Sequence, residues 1–208
     1  MPILLDEALL MSDAPPETLG DALADIGRQI PAGRVIVKVE LDGAAIEGPA
    51  LSSSRATSLA GRALAVSTAN QQELSWQMLG KLHAFIVWLQ PRHQEAAKLF
   101  ETGKAPAGLE KLGQILNGWM QIQQAYGKLA EMQQIDPATL MVRELTAQTL
   151  INEFAGQLRE IHKALEAQDF VLLADILQYE MDGVVANWTA ILESTLEVVG
   201  IPDEKKGV

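Results

Sequence analysis

The chain has 208 residues, 48% of them hydrophobic and 21% charged, with no cysteine and a formal net charge of −11. That length allows one domain or two small ones, and the lack of cysteine excludes disulfides, thiol catalysis, iron–sulfur clusters and Cys-ligated zinc. Residues 1–70 carry nine acidic and five basic side chains and residues 71–208 eighteen and eleven, so neither part offers the clustered Lys and Arg that nucleic acid or an anionic membrane surface requires.

Ile3-Leu4-Leu5 predicts a short opening strand. Asp6 and Glu7 stand where a secretory signal carries Lys or Arg, and no apolar run approaches the ~20 residues of a membrane span. With the missing cysteine, this predicts a cytoplasmic chain, and the sequon Asn187-Trp188-Thr189 reads as a chance match. Ala14-Pro15-Pro16-Glu17 signals a helix start, because proline fits the first turn and acids there favour the helix dipole. Leu19, Leu23, Ile26 and Ile30 then fall on one helical face, and Pro31-Ala32-Gly33 ends it.

Arg34 to Leu41 is the clearest strand, with Val35, Val37, Val39 and Leu41 alternating inward. Asp42-Gly43 predicts a two-residue hairpin turn, since both residues tolerate positive φ. Ala44-Ala45-Ile46 is the return strand, Ser52-Ser53-Ser54 a loop or helix cap, and Arg62 to Thr68 a last strand. The order β-α-β-β-β suits a small mixed sheet with one packed helix, a β-grasp-like arrangement.

From residue 71 apolar residues recur at helical spacing. The first helix spans about 71–90, with Leu74, Met78, Leu82, Phe85 and Leu89 on one stripe and an interruption at Pro91. A second runs over about 108–134. A third starts at Asp136-Pro137, with Ala147, Ile151, Phe154, Leu158, Ile161 and Leu165 forming a heptad seam of the bundle kind. Asp169 caps the last helix, which carries Leu173, Leu177, Met181, Val184, Trp188, Ile191 and Val198 and stops at Gly200-Ile201-Pro202. The fold class is therefore α+β and mainly helical: a small α+β domain at 1–70, an antiparallel bundle of long helices at 71–200, and a flexible tail at 201–208.

A search for chemistry returns little. Gly80, Gln90 and Arg159 stand three residues before His83, His93 and His162, so the Glu-x-x-His pair of a di-metal bundle is missing. No Gly-x-Ser-x-Gly, phosphate loop or His-Glu-x-x-His occurs. Asp175, Glu180 and Asp182 lie in the otherwise apolar last helix, where a buried acid would have a shifted pKa; a solvated acidic face is the plainer expectation. The sequence thus predicts no catalytic residue, no metal and no cofactor.

The favoured expectation is a non-enzymatic protein-interaction module that binds a client, or itself as a homodimer, through the helical domain. Methionines suit adaptable surfaces, and Met78, Met120, Met132, Met141 and Met181 all fall on expected helices. Trp76 sits off its helix's main stripe, whereas Trp88, Trp119 and Trp188 read as core. The expected interaction surface is Trp76, Met78, Met120, Met132 and Met181. In composition and architecture alone, such an acidic bundle resembles bacterial secretion and flagellar export chaperones. The alternative is a ligand binder or enzyme with Arg34, Arg55, Arg62 and His83 around a pocket between the domains.

Overall fold

The computed structural model describes residues 2–10, 16–46 and 49–202. It comprises two compact units, Met1–Leu74 and Ser75–Val208. Ala14 and Pro15 of the expected helix start, and residues 203–208 of the expected tail, lie outside the described residues.

In the first unit, strands β1 (Ile3–Leu5), β2 (Ala8–Leu9), β3 (Arg34–Leu41), β4 (Ala44–Ala45) and β5 (Leu64–Asn70) form a sheet of order β2-β1-β5-β3-β4. The central β1–β5 pair is parallel and the others antiparallel. This is the β-grasp order. Helix α1 (Leu19–Gln29) contributes Leu19, Ala22 and Ile26 to a core with Ile3, Val39, Leu41, Leu64 and Val66. A short α2 (Pro49–Ser53) covers the stretch expected as loop or cap.

Three local details differ from the sequence expectation. Strand β2 was not foreseen, because two residues show no alternation. Helix α1 begins only at Leu19, after Thr18, whose hydroxyl accepts a 3.2 Å hydrogen bond from the Asp21 amide. In β3 the register shifts between Ile36 and Lys38. Such a bulge breaks the inward alternation, so Val37 is 47% exposed while Ile36 packs against the core. The Asp42-Gly43 turn has φ of 54° and 80°, as its hairpin demands.

The second unit is built from α3 (Gln71–Glu101), α4 (Ala105–Met132), α5 (Ala147–Glu166) and α6 (Phe170–Asp175), the last leading through one π-helical segment, Ile176–Glu180, into α7 (Met181–Val199). Pro91 does not interrupt α3. A proline inside a helix leaves carbonyls without donors. The carbonyl that Pro91 deprives is that of Val87, four residues before it, and burial of Ile86 and Leu89 before the proline and of His93 and Ala96 after it carries the helix through. Nor does a helix start at Asp136-Pro137. The Asp136 carboxylate accepts instead from the Ala138 amide at 2.9 Å, and a small hairpin of β6 (Met141–Val142) and β7 (Leu145–Thr146) comes first. Thr146 then caps α5. Asp169 caps α6 through the Leu172 amide.

Side-chain pairs give the helix directions. Gln133 bonds Ser75, Trp119 bonds His93, and Lys111 pairs with Glu95, so α3 and α4 are antiparallel. Gly118 and Gly108 let them close up: a Cβ would lie 2.9 Å from Leu89 and 2.8 Å from Phe100. Trp119 packs on Trp188 and Tyr126 meets Thr195, which sets α4 and α7 parallel. Trp119 also packs on Phe154 of α5, 4.9 Å between ring centroids. The result is a helical bundle around Trp119, Phe154 and Trp188. The π-helical segment carries the chain from Leu177 to Met181. It keeps both on the buried face, with Tyr179 70% exposed. Val198, expected in the stripe, is 61% exposed, and Thr195 occupies the core position instead.

Candidate functional site

Helix α4 has an inward face and an outward one. Leu112, Ile115, Trp119, Ile122, Tyr126 and Leu129 are buried. Gly113, Asn117, Met120, Gln124 and Gly127 lie on the opposite face, and all five are exposed. From Leu112 to Gly127, sixteen consecutive residues carry no charge. A soluble helix ordinarily meets water with Lys, Glu, Arg and Asp, and charge depletion marks the centres of protein interfaces.

Two grooves flank this face. The one towards α5, of about 460 Å3, is lined by Leu116, Met120, Leu158, Ile161 and Leu165, with Gln123, Gln124 and His162 at hand. The one towards α3, of about 320 Å3, is lined by Met78, Lys81, Leu82, Phe85, Gln121 and Ala125. Beside it on α3, Trp88 is 45% exposed. It stacks on Phe85 with ring centroids 5.4 Å apart and carries the Arg92 guanidinium 3.4 Å above its ring.

The expected surface residues separate accordingly. Met120 and Met78 each line one of the two grooves. Trp76 is half-buried and lines a third, smaller groove of about 210 Å3 with His83, Leu192 and Leu196. Met132 is half-buried at the end of α4, and Met141 is exposed on β6. Met181 is 1% exposed and belongs to the core, because it continues the Leu173-Leu177 stripe; it cannot form part of a surface. The exposed tryptophan is Trp88, not Trp76. The sequence signal that identifies the α4 face is the uncharged run, which a search for apolar periodicity passes over.

Of the residues of the alternative reading, Arg34 and Arg62 hold ion pairs within the first unit. Arg34 donates to the Thr68 hydroxyl and carbonyl and pairs with Asp6. Arg62 pairs with Asp42 at 2.6 Å. The Thr68 hydroxyl and amide, and after them Arg34, hold the Asp6 carboxyl below its usual range, and the Ala63 amide, and after it Arg62, do the same for Asp42. Arg55 is exposed after α2, and its carbonyl accepts from the Gly20 amide. Asp175, Glu180 and Asp182 are all exposed. Among the described residues no three His, Asp or Glu side chains converge in a way that could hold a metal ion, and no helix is long and apolar enough to cross a membrane.

His93 is one of three buried polar side chains among the described residues, with Ser75 and Thr195. Its Nε2 accepts a 2.9 Å bond from Trp119 Nε1, which leaves the proton on Nδ1, 3.2 Å from the Gln90 carbonyl. Burial depresses its pKa to about 4, against the opposing pull of the Gln90 carbonyl and Asp182. Both nitrogens are used by the fold, so the ring joins α3 to α4 and offers no free nitrogen for acid–base work.

The fold thus defines a β-grasp unit joined to an antiparallel helical bundle with an uncharged outer face. Residues 77–191, from within α3 to within α7, match a family model described as "Domain of unknown function (DUF8042)", and the chain belongs to that family. No curated protein and no solved structure matches the chain.

Proposed function

We propose that this chain is a non-enzymatic protein-interaction module, an acidic adaptor of chaperone-like habit, that docks a helical protein segment on the outer face of α4. The observation that carries the reading is the sixteen-residue uncharged run on a solvent-facing helix, bordered by two apolar grooves. Grooves of this kind accept a helix through anchors at i, i+3, i+4 and i+7. Met120, 50% exposed at the centre of the face, is an adaptable contact for such anchors. The acidic surface keeps the chain soluble while that face stays uncovered. A cysteine-free chain of this kind works in the cytoplasm.

The test is a photo-cross-linking amino acid at Gln124 in the native cells, with the same group at Val171 on α6 as control. A discrete protein adduct at Gln124, absent at Val171 and lost on Met120→Lys with the bundle's melting unchanged, is the expected result. No adduct at Gln124 overturns the reading.

A further inference from the structure

We infer that the groove between α3 and α4 takes an acidic amphipathic helix of another protein, which the bases on its rim select. This rests on the interaction reading and names the chemistry of its partner. Ser75 to Gln94 on α3 and Lys111 to Ala130 on α4 make 40 residues without an Asp or Glu, yet they include Lys81, Arg92, Lys111 and Lys128. The other 168 residues hold all 27 acids and twelve bases. Charge is therefore sorted along this chain, with a basic helix pair set in an acidic molecule. The acid-free stretches are bounded by Glu73, Glu95, Glu110 and Glu131, none of which lines the groove, and Glu95 is engaged by Lys111.

The bonds from Gln133 to Ser75 and from Trp119 to His93 fix the register of the two helices, and between them Lys81 comes level with Lys128. Lys81 lines the groove, and Lys128 follows the lining residues Gln121 and Ala125 on one stripe of α4, seven and three residues further on. One base thus stands on each bank at this end. Both are exposed, and neither holds an ion pair among the described residues. Arg92 marks the other end, held over the ring of Trp88, which stacks on Phe85 of the groove wall. Between the ends the lining is apolar, with Met78, Leu82, Phe85 and Ala125. A helix with apolar anchors at i, i+3 and i+7 fills that floor, and carboxylates flanking the anchors meet Lys81 and Lys128. A larger polyanion, nucleic acid or an anionic membrane, would also press against the acidic remainder of the chain, whereas a single helix reaches the bases without touching it. Exposed ion pairs add little affinity and govern the choice of partner. The apolar contacts hold the helix and the bases choose it.

A net charge of −11 predicts the reverse preference, which makes the test sharp. The probes are two labelled amphipathic peptides with leucine at heptad positions a and d, one carrying glutamate at e and g and its twin lysine. At about 0.1 M salt, fluorescence anisotropy with the full chain should show the glutamate peptide binding roughly tenfold tighter than its twin. At about 1 M the preference should fade while the binding remains. Lys81→Glu combined with Lys128→Glu, at two exposed positions, should leave melting unchanged and invert the preference. Equal binding, or a preference of the unaltered chain for the lysine peptide, overturns the inference, and so does binding of neither peptide. A chain that is dimeric by light scattering and separates on the double substitution fills the groove with itself, which overturns it too. In each of these cases an adduct of Gln124 with another protein in cells leaves the interaction reading standing. Without that adduct both fail.

Discussion

A histidine inside an apolar bundle must use both ring nitrogens or pay for the unused one. His93, 1% exposed, uses both, and its neutral form is the one that fits. Its folded pKa of about 4 lies below the unfolded value of 6.5. Above pH 6.5 the ring is neutral in both states and contributes no pH dependence. As the pH falls towards 4 the unfolded chain takes up a proton that the folded chain refuses, so stability declines. Below about 4 the folded ring also protonates and the loss stops. The total is about 3 kcal/mol. Denaturant unfolding of the full chain between pH 4 and 7 should show this slope. His93→Gln, which keeps an acceptor for Trp119, should remove it; an unchanged slope in the variant would assign it to the carboxylates. None of this was legible in the sequence, where three histidines without metal spacing looked alike. What separates His93 from exposed His83 and His162 is the Trp119 Nε1 opposite it, a contact 26 residues away in the chain. The methionines divide in the same way: periodicity places Met181 on the buried stripe, but reading all the helical methionines as one surface ignored it.

At the scale of elements, long periodic segments were readable and short ones were not. Strand β3, α5 and α7 follow from alternation or heptads, and the Asp42-Gly43 turn from its residues alone. Strands β2, β6 and β7 have two residues each, too few to carry a period. The Pro91 interruption failed for a physical reason: Ile86, Leu89, His93 and Ala96 are buried on both sides of the proline, and tertiary packing carries α3 through. The spacing of α3 from α4 is set by glycines whose roles only the packed structure reveals. Gly118→Ala would bring a Cβ to 2.9 Å from fully buried Leu89, and should cost about 1–3 kcal/mol by overpacking. Gly80→Ala, in the exposed interior of α3 with nothing within 4 Å, should stabilise by about 1 kcal/mol. Melting of both variants checks the contrast. Two shifts of the same sign would mean that α3 and α4 do not depend on the glycine for their separation.

For the whole molecule, net charge and the uncharged α4 face act against each other. Composition alone suggested a soluble acidic chain, and the acidity was legible from the first count. The gap in it was not, because the average hides a helix whose outer face is Gly, Asn, Met and Gln while charge collects elsewhere. The charges act over distances comparable to the Debye length, about 10 Å at 0.1 M salt and 3 Å at 1 M. Apolar contacts made at Met120 by a docked helix are short-ranged and nearly indifferent to salt. Raising the ionic strength should therefore leave the protein adduct of a photo-cross-linker at Gln124 in place. Loss of that adduct in a lysate brought to about 1 M salt would mean that the acidic surroundings, and not the uncharged face, hold the partner.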